Sequence, residues 1–151
     1  MEELEVKNLF DQEPFKEMLD RASKLSADSK PLWGKMNVAQ MFAHCAEVQE
    51  VMNGKDFKAP WYMKLFSGFI KKMVINRKPY QKNLPTAPQY VKDTDHDFDT
   101  EKARFIEAIT FFHNSQGEGL PQHPVFGKMT DLEKGWAMYK HHTHHLTQFG
   151  V

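Results

Sequence analysis

Apolar side chains recur at intervals of three and four along most of this chain, the spacing that lines one face of a helix. Phe15, Met18, Leu19, Ala22 and Leu25 define a first helix running to about Leu25. Asp11 stands where an N-cap belongs, and Pro14 lies near the first turn, where proline is tolerated. Before it, Met1 to Phe10 reads as an extended arm or irregular lead-in. The stretch from Ser26 to Gly34 holds Asp28, Ser29, Pro31 and Gly34 and reads as a loop.

Asn37 is suited to cap a second helix that ends near Asn53, with Gly54 just beyond as a stop. Met41, His44, Val48 and Val51 fall on one narrow stripe of it. A third helical pattern spans Trp61 to about Ile75, with Gly68 as its weak point. The 23 residues from Asn76 to Phe98 carry Pro79, Pro85 and Pro88 and no helical period. A segment that long either crosses a face of the domain or serves a site, and a crossover between bundle helices is an ordinary form of it. Asp99 or Thr100 caps a fourth helix to about Ser115. After a Gly/Pro loop, Thr130 and Glu133 form the capping-box pattern of a last helix. Sustained apolar–polar alternation is absent, so the expected class is all-α.

The last helix carries the chemistry. It ends TDLEKGWAMYKHHTHHLTQFG, and His141 and His145 stand four apart on one face. On a wheel of about 100° per residue, His145 and Gln148 lie within about 40° of His141, whereas His144 and His142 fall on the flanks. His142 is expected to face away. Leu132, Trp136, Tyr139 and Leu146 occupy the far side, so the helix expects neighbours on two sides. Thr143 interrupts the cluster and the helical pattern continues to Phe149, unlike an appended histidine tag.

His44 is the one earlier histidine on a strongly apolar helical stripe. Together with His141 and His145 it would supply three imidazoles and leave a coordination position open, the layout of a catalytic metal site. Each neutral ring can bind a divalent ion such as zinc, nickel, iron or manganese. Protonation would weaken that binding near and below a pH of about 6.5. Gln148 is a candidate partner for the second nitrogen of a ligand ring. Taken alone, His44 also fits a hydrogen-bonded core histidine, and an i,i+4 pair also arises by chance. Gln40 and Glu47, which flank His44, are within reach of the pocket mouth as acid/base or orienting groups but read better as a solvated face, and Cys45 reads as a small core residue rather than a nucleophile.

Composition narrows the partners. Lys plus Arg and Asp plus Glu number 20 each in 151 residues, so there is no overall basic excess for neutralising phosphates. Charge is uneven, with eight Lys/Arg against one Asp from Lys55 to Lys82 and five acids from Asp93 to Glu101. The basic stretch is read as a packed helix with a cationic face rather than as a nucleic-acid or membrane element. One cysteine excludes an internal disulfide, no apolar run spans a bilayer, and the acidic N-terminus lacks a signal-peptide layout. A single cytoplasmic domain over residues 1–151 is expected.

Four segments carry a resemblance: LWGKMNVAQMFAHC around the second helix, KNLPTAP, HPVFGKMT, and the ending MYKHHTHHLTQFG. Together they resemble a small bacterial family of unknown function in the DinB/YfiT-like superfamily of metalloenzymes. The resemblance implies a four-helix bundle with a long crossover loop and a short extra helix. It implies that one histidine of the second helix and two of the last bind a divalent metal, which are His44, His141 and His145 here. His144 then flanks the site, and His123, in HPVF, orders the preceding loop. The superfamily includes bacillithiol transferases and mycothiol-dependent maleylpyruvate isomerases. It therefore implies a metal-dependent transferase or hydrolase acting on a small molecule, with a low-molecular-weight thiol as a further cofactor and a homodimer as the assembly. The alternative is a non-catalytic metal or small-ligand binder.

Overall fold

Capping chemistry sets most of the helix boundaries. The computed structural model describes residues 2–84 and 94–151, and among these the chain forms six helices and no strand. They are α1 (Gln12–Ser23), α2 (Val38–Met52), α3 (Trp61–Leu65), α4 (Ser67–Ile75), α5 (Phe98–Ser115) and α6 (Asp131–Gln148). The middle of the expected crossover, including the end of KNLPTAP, lies outside the described residues. The chain is all-α, as the absence of alternation implied.

Asn37 and Gln40 close α2 reciprocally: Asn37 Oδ1 accepts from the Gln40 amide at 2.8 Å, and Gln40 Oε1 accepts from that of Asn37 at 2.9 Å. Thr130 and Glu133 do the same for α6. Each box satisfies two of the donors that a helix start leaves open. Asp11 precedes α1 in an extended conformation but makes no side-chain cap bond. The cap of α5 is Asp97, not Asp99 or Thr100, because its carboxylate takes both the amide and the hydroxyl of Thr100, at 2.9 and 2.6 Å.

The single helix expected over Trp61–Ile75 is two. Phe66, at φ −100° and ψ 15°, ends α3 and starts α4. Its amide still bonds Tyr62 O and its carbonyl still accepts from Ile70, each at 3.0 Å. Bonding thus continues on both sides of the kink, so the apolar period runs straight through it.

α6 is the central element, with eleven of its eighteen residues buried. It packs on α1, α2 and α4, while α2 lies along α5 and α1 also touches α5. Phe42 and Phe105 meet at 5.4 Å between ring centroids, and Phe10 stacks on Phe112 at 4.2 Å. On the α1 side, Arg21 bonds Thr143 Oγ1, Thr147 Oγ1 and Val151 O at 2.9–3.0 Å, gripping the end of α6. On the α4 side, the Trp136 indole donates to Ile75 O, and Lys140 Nζ donates to Met73 O and Asn76 O. These bonds occupy carbonyls that the end of α4 leaves open. The N-terminal arm crosses α6 at Gly135, where a Cβ would stand 1.8 Å from Asn8 Oδ1. Only glycine fits there.

Candidate metal centre

α2 and α6 bring together the three histidines singled out in the sequence. The His44, His141 and His145 rings lie 4.7–4.9 Å apart between centroids, close to an equilateral triangle. Their nearest ring nitrogens all fall within 4.8 Å of one another, and His44 Nε2 stands 3.0 Å from His141 Nε2. Tetrahedral zinc with bonds of about 2.0–2.1 Å needs ligand nitrogens roughly 3.3 Å apart, so small side-chain adjustments bring the set to that geometry. The group holds no carboxylate. An all-imidazole set suits zinc, nickel or iron better than manganese, which favours oxygen ligands.

The surroundings favour the neutral form of the two α6 rings. His44 is 3% exposed and His145 9%, while His141 is half-buried and marks the side open to the surface. Burial first, and then the neighbouring imidazoles, hold His141 and His145 well below the ordinary histidine pKa. Protonation that competes with metal therefore sets in below the pH of about 6.5 expected for a free imidazole. His144 is lowered by burial and by Lys140. Burial pushes Lys140 itself down to about 8.

Gln148 meets the expectation placed on it. Its Nε2 donates to Trp33 O at 2.9 Å, so its Oε1 faces His145 Nδ1 at 3.0 Å. A carbonyl oxygen can only accept, so His145 donates from Nδ1 and keeps its Nε2 lone pair for a ligand role. His144 lies beside the centre, its ring 5.1 Å from that of His145 and edge-on to Trp33 and Tyr80 at 5.9 and 5.5 Å.

His142 departs from the expectation that it faces away. It is fully buried, with Nε2 2.8 Å from Gln49 Oε1 and Nδ1 3.2 Å from His141 Nδ1. Burial and His44 push its pKa to about 3. α6 is enclosed by its neighbours, so a flank position on the wheel is still an interior one. The available signal was Gln49, which stands seven and four residues after Phe42 and Cys45 and so shares their apolar side of α2.

Other candidates find ordinary places. Glu47 is not on a solvated face: it pairs with Arg104 Nη2 at 2.7 Å and with Lys55 Nζ at 2.8 Å. Gln40 serves the α2 cap and donates to Thr94 O. His123 orders its loop, accepting on Nδ1 from the amides of Val125 and Phe126 at 3.1 and 3.2 Å. Cys45, His141 and His142 also come within 4.8 Å of one another. Metal binding there needs a thiolate, yet burial pushes the Cys45 thiol far up, and both ring nitrogens of His142 are already engaged.

No helix among the described residues is long and apolar enough to cross a membrane. A family model described as a protein of unknown function (DUF1569) matches residues 5–150. No curated protein and no solved structure matches the chain.

Proposed function

We propose that this chain, which belongs to the DUF1569 family of proteins of unknown function, is a divalent-metal protein that binds its ion through His44, His141 and His145. The observation that carries this reading is the convergence of three imidazoles from two helices, each with a ring nitrogen within 4.8 Å of the others. Zinc, nickel and iron fit the donors ahead of manganese.

The reading extends to a metal-dependent enzyme of the thiol-transferase or hydrolase type. When bound, a divalent ion supplies Lewis acidity, which makes a neighbouring thiol or water nucleophilic at neutral pH. The chain's own contribution is positional. His145 is oriented through Gln148, His141 through His142, and the apolar wall of α2 excludes water from the inner side. His141 and His144, both half-buried, line the approach for a small-molecule substrate and a low-molecular-weight thiol. The fold reading that accompanies this is a DinB-like four-helix bundle of α1, α2, α5 and α6, with α3 and α4 as extra helices in the connection between α2 and α5. The mutual packing of those four helices supports it. One domain over residues 1–151, a homodimer and a cytoplasmic setting complete the proposal.

A non-catalytic metal binder is the second reading, favoured by the burial of His44 and His145, which leaves little of either ring open to a substrate. Elemental analysis of protein purified without added metal, beside the His44→Ala/His141→Ala/His145→Ala variant, tests the ion. About one divalent ion per chain, lost in the variant, is expected, and an equal content in both would overturn the site. Metal-dependent turnover of thiol acceptors or esters then separates enzyme from binder.

A further inference from the structure

A side-chain hydrogen-bond chain behind the three histidines runs through a residue that is not one of them. His141 Nδ1 lies 3.2 Å from His142 Nδ1, and His142 Nε2 lies 2.8 Å from Gln49 Oε1. Gln49 Nε2 donates to Asn53 Oδ1 at 3.0 Å, and Asn53 Nδ2 donates to Ala108 O on α5 at 2.9 Å.

The direction of this chain is set from its far end. A backbone carbonyl only accepts, so Asn53 must turn its amide nitrogen to Ala108 and its oxygen to Gln49. Gln49 must then donate to Asn53 and present its own oxygen to His142. That oxygen also only accepts, so His142 carries its proton on Nε2. A neutral imidazole has one ring proton, which leaves a lone pair on His142 Nδ1. The contact between the two Nδ1 atoms is a hydrogen bond only if His141 donates it. His141 Nε2 is then a lone pair facing the centre, 3.0 Å from His44 Nε2.

We propose that His142, backed by Gln49 and Asn53, is a positioning residue that locks His141 in the Nδ1–H tautomer and keeps its Nε2 open toward the centre. Adjacent histidines of one helix thus hold opposite tautomers, Nδ1–H at His141 and Nε2–H at His142. The arrangement matches that of His145, whose Nδ1 proton is held by Gln148 and, behind it, Trp33 O. Two ligand rings on α6 are therefore preset by chains that end on backbone carbonyls of other parts of the fold. The tautomer stands on hydrogen bonding alone, and only its effect on metal affinity rests on the metal site proposed above.

Nitrogen-15 spectra of the metal-free protein with labelled histidine, at a pH where the rings are neutral, test the tautomer directly. A protonated-nitrogen signal for His141 at Nδ1 and for His142 at Nε2 is expected, and the reverse pattern at either ring would overturn the inference. Zinc affinity by competition with a chromophoric chelator tests the consequence. His142→Phe fills the space without an acceptor and should weaken zinc about 10–100-fold. His142→Asn restores an acceptor near the Nδ1 position and should recover most of that loss. Equal affinity for His142→Phe and the wild type would overturn the positioning role while leaving the three-histidine site intact. Failure of the wild type to bind zinc would overturn that site, and the metal-free spectrum would still decide the tautomer.

Discussion

His145 Nδ1 donates to Gln148 Oε1 at 3.0 Å, and the same amide reaches across to Trp33 O at 2.9 Å. One side chain therefore fixes the His145 ring and ties the loop before α2 to the end of α6. Gly34, beside it, adopts φ +83°, and a Cβ there would stand 2.6 Å from Gln148 Nε2. Gln148→Leu is expected to weaken zinc about 10–100-fold, as losses of ligand-orienting partners do. Gly34→Ala should act in the same direction although residue 34 is no ligand, with roughly 1–2 kcal/mol of added backbone strain. Chelator competition and thermal melts of both variants check this; unchanged affinity in Gln148→Leu would remove the orienting role.

Glu47 lies three residues after His44, an inviting place for a general base. Its bonds to Arg104 and Lys55 make it a structural group instead, in a network that also takes in Glu50 and Glu101. Hydrogen bonding to Glu50 is the main cause that raises the Arg104 pKa, so the guanidinium stays charged. Glu47→Gln is expected to cost about 1 kcal/mol of stability with no change in metal content. Denaturant unfolding and elemental analysis read the two effects separately.

His123 gives the fold a sensitivity to acid. Burial holds its pKa at about 4, below the value of about 6.5 for an unfolded histidine. The unfolded chain therefore binds the proton first. The stabilisation from the neutral ring is whole above pH 6.5, is lost as pH falls from there to about 4, and changes no further below that. Protonating Nδ1 would remove the acceptor for the Val125 and Phe126 amides. His123→Asn keeps an acceptor that does not titrate. Melting curves from neutral pH down to about 4 should show the wild type losing roughly 2–3 kcal/mol more than this variant. Parallel losses would rule out His123 as the source.

Cys45 is expected to be inert in the native protein. It is fully buried, its Sγ lies 3.8 Å from Met41 Sδ, and burial pushes its thiol pKa upward. A thiol-specific chromogenic reagent should label no cysteine in native protein and one after denaturation. Rapid labelling of native protein would place the thiolate among reactive groups.

The sequence by itself determined the helical class, the caps at Asn37 and Thr130, and the pairing of His141 with His145 on one face of α6. Each of these is written in short-range spacing: three- and four-residue periods, a capping residue three before its partner, two rings one turn apart. Spacing also placed Gln148 beside His145, because both lie on one helix. Tertiary structure decided what depends on a second element. His142 looked outward on a wheel because a wheel has no neighbours, and the packing of α2 and α5 around α6 turned that flank into interior. Glu47 looked solvated until α5 supplied Arg104. The kink at Phe66 left no trace in the period because backbone bonding persists on both sides of it. Hydrogen-bond direction along His141, His142, Gln49 and Asn53 starts from Ala108 O, a backbone atom on another helix that no side-chain pattern encodes.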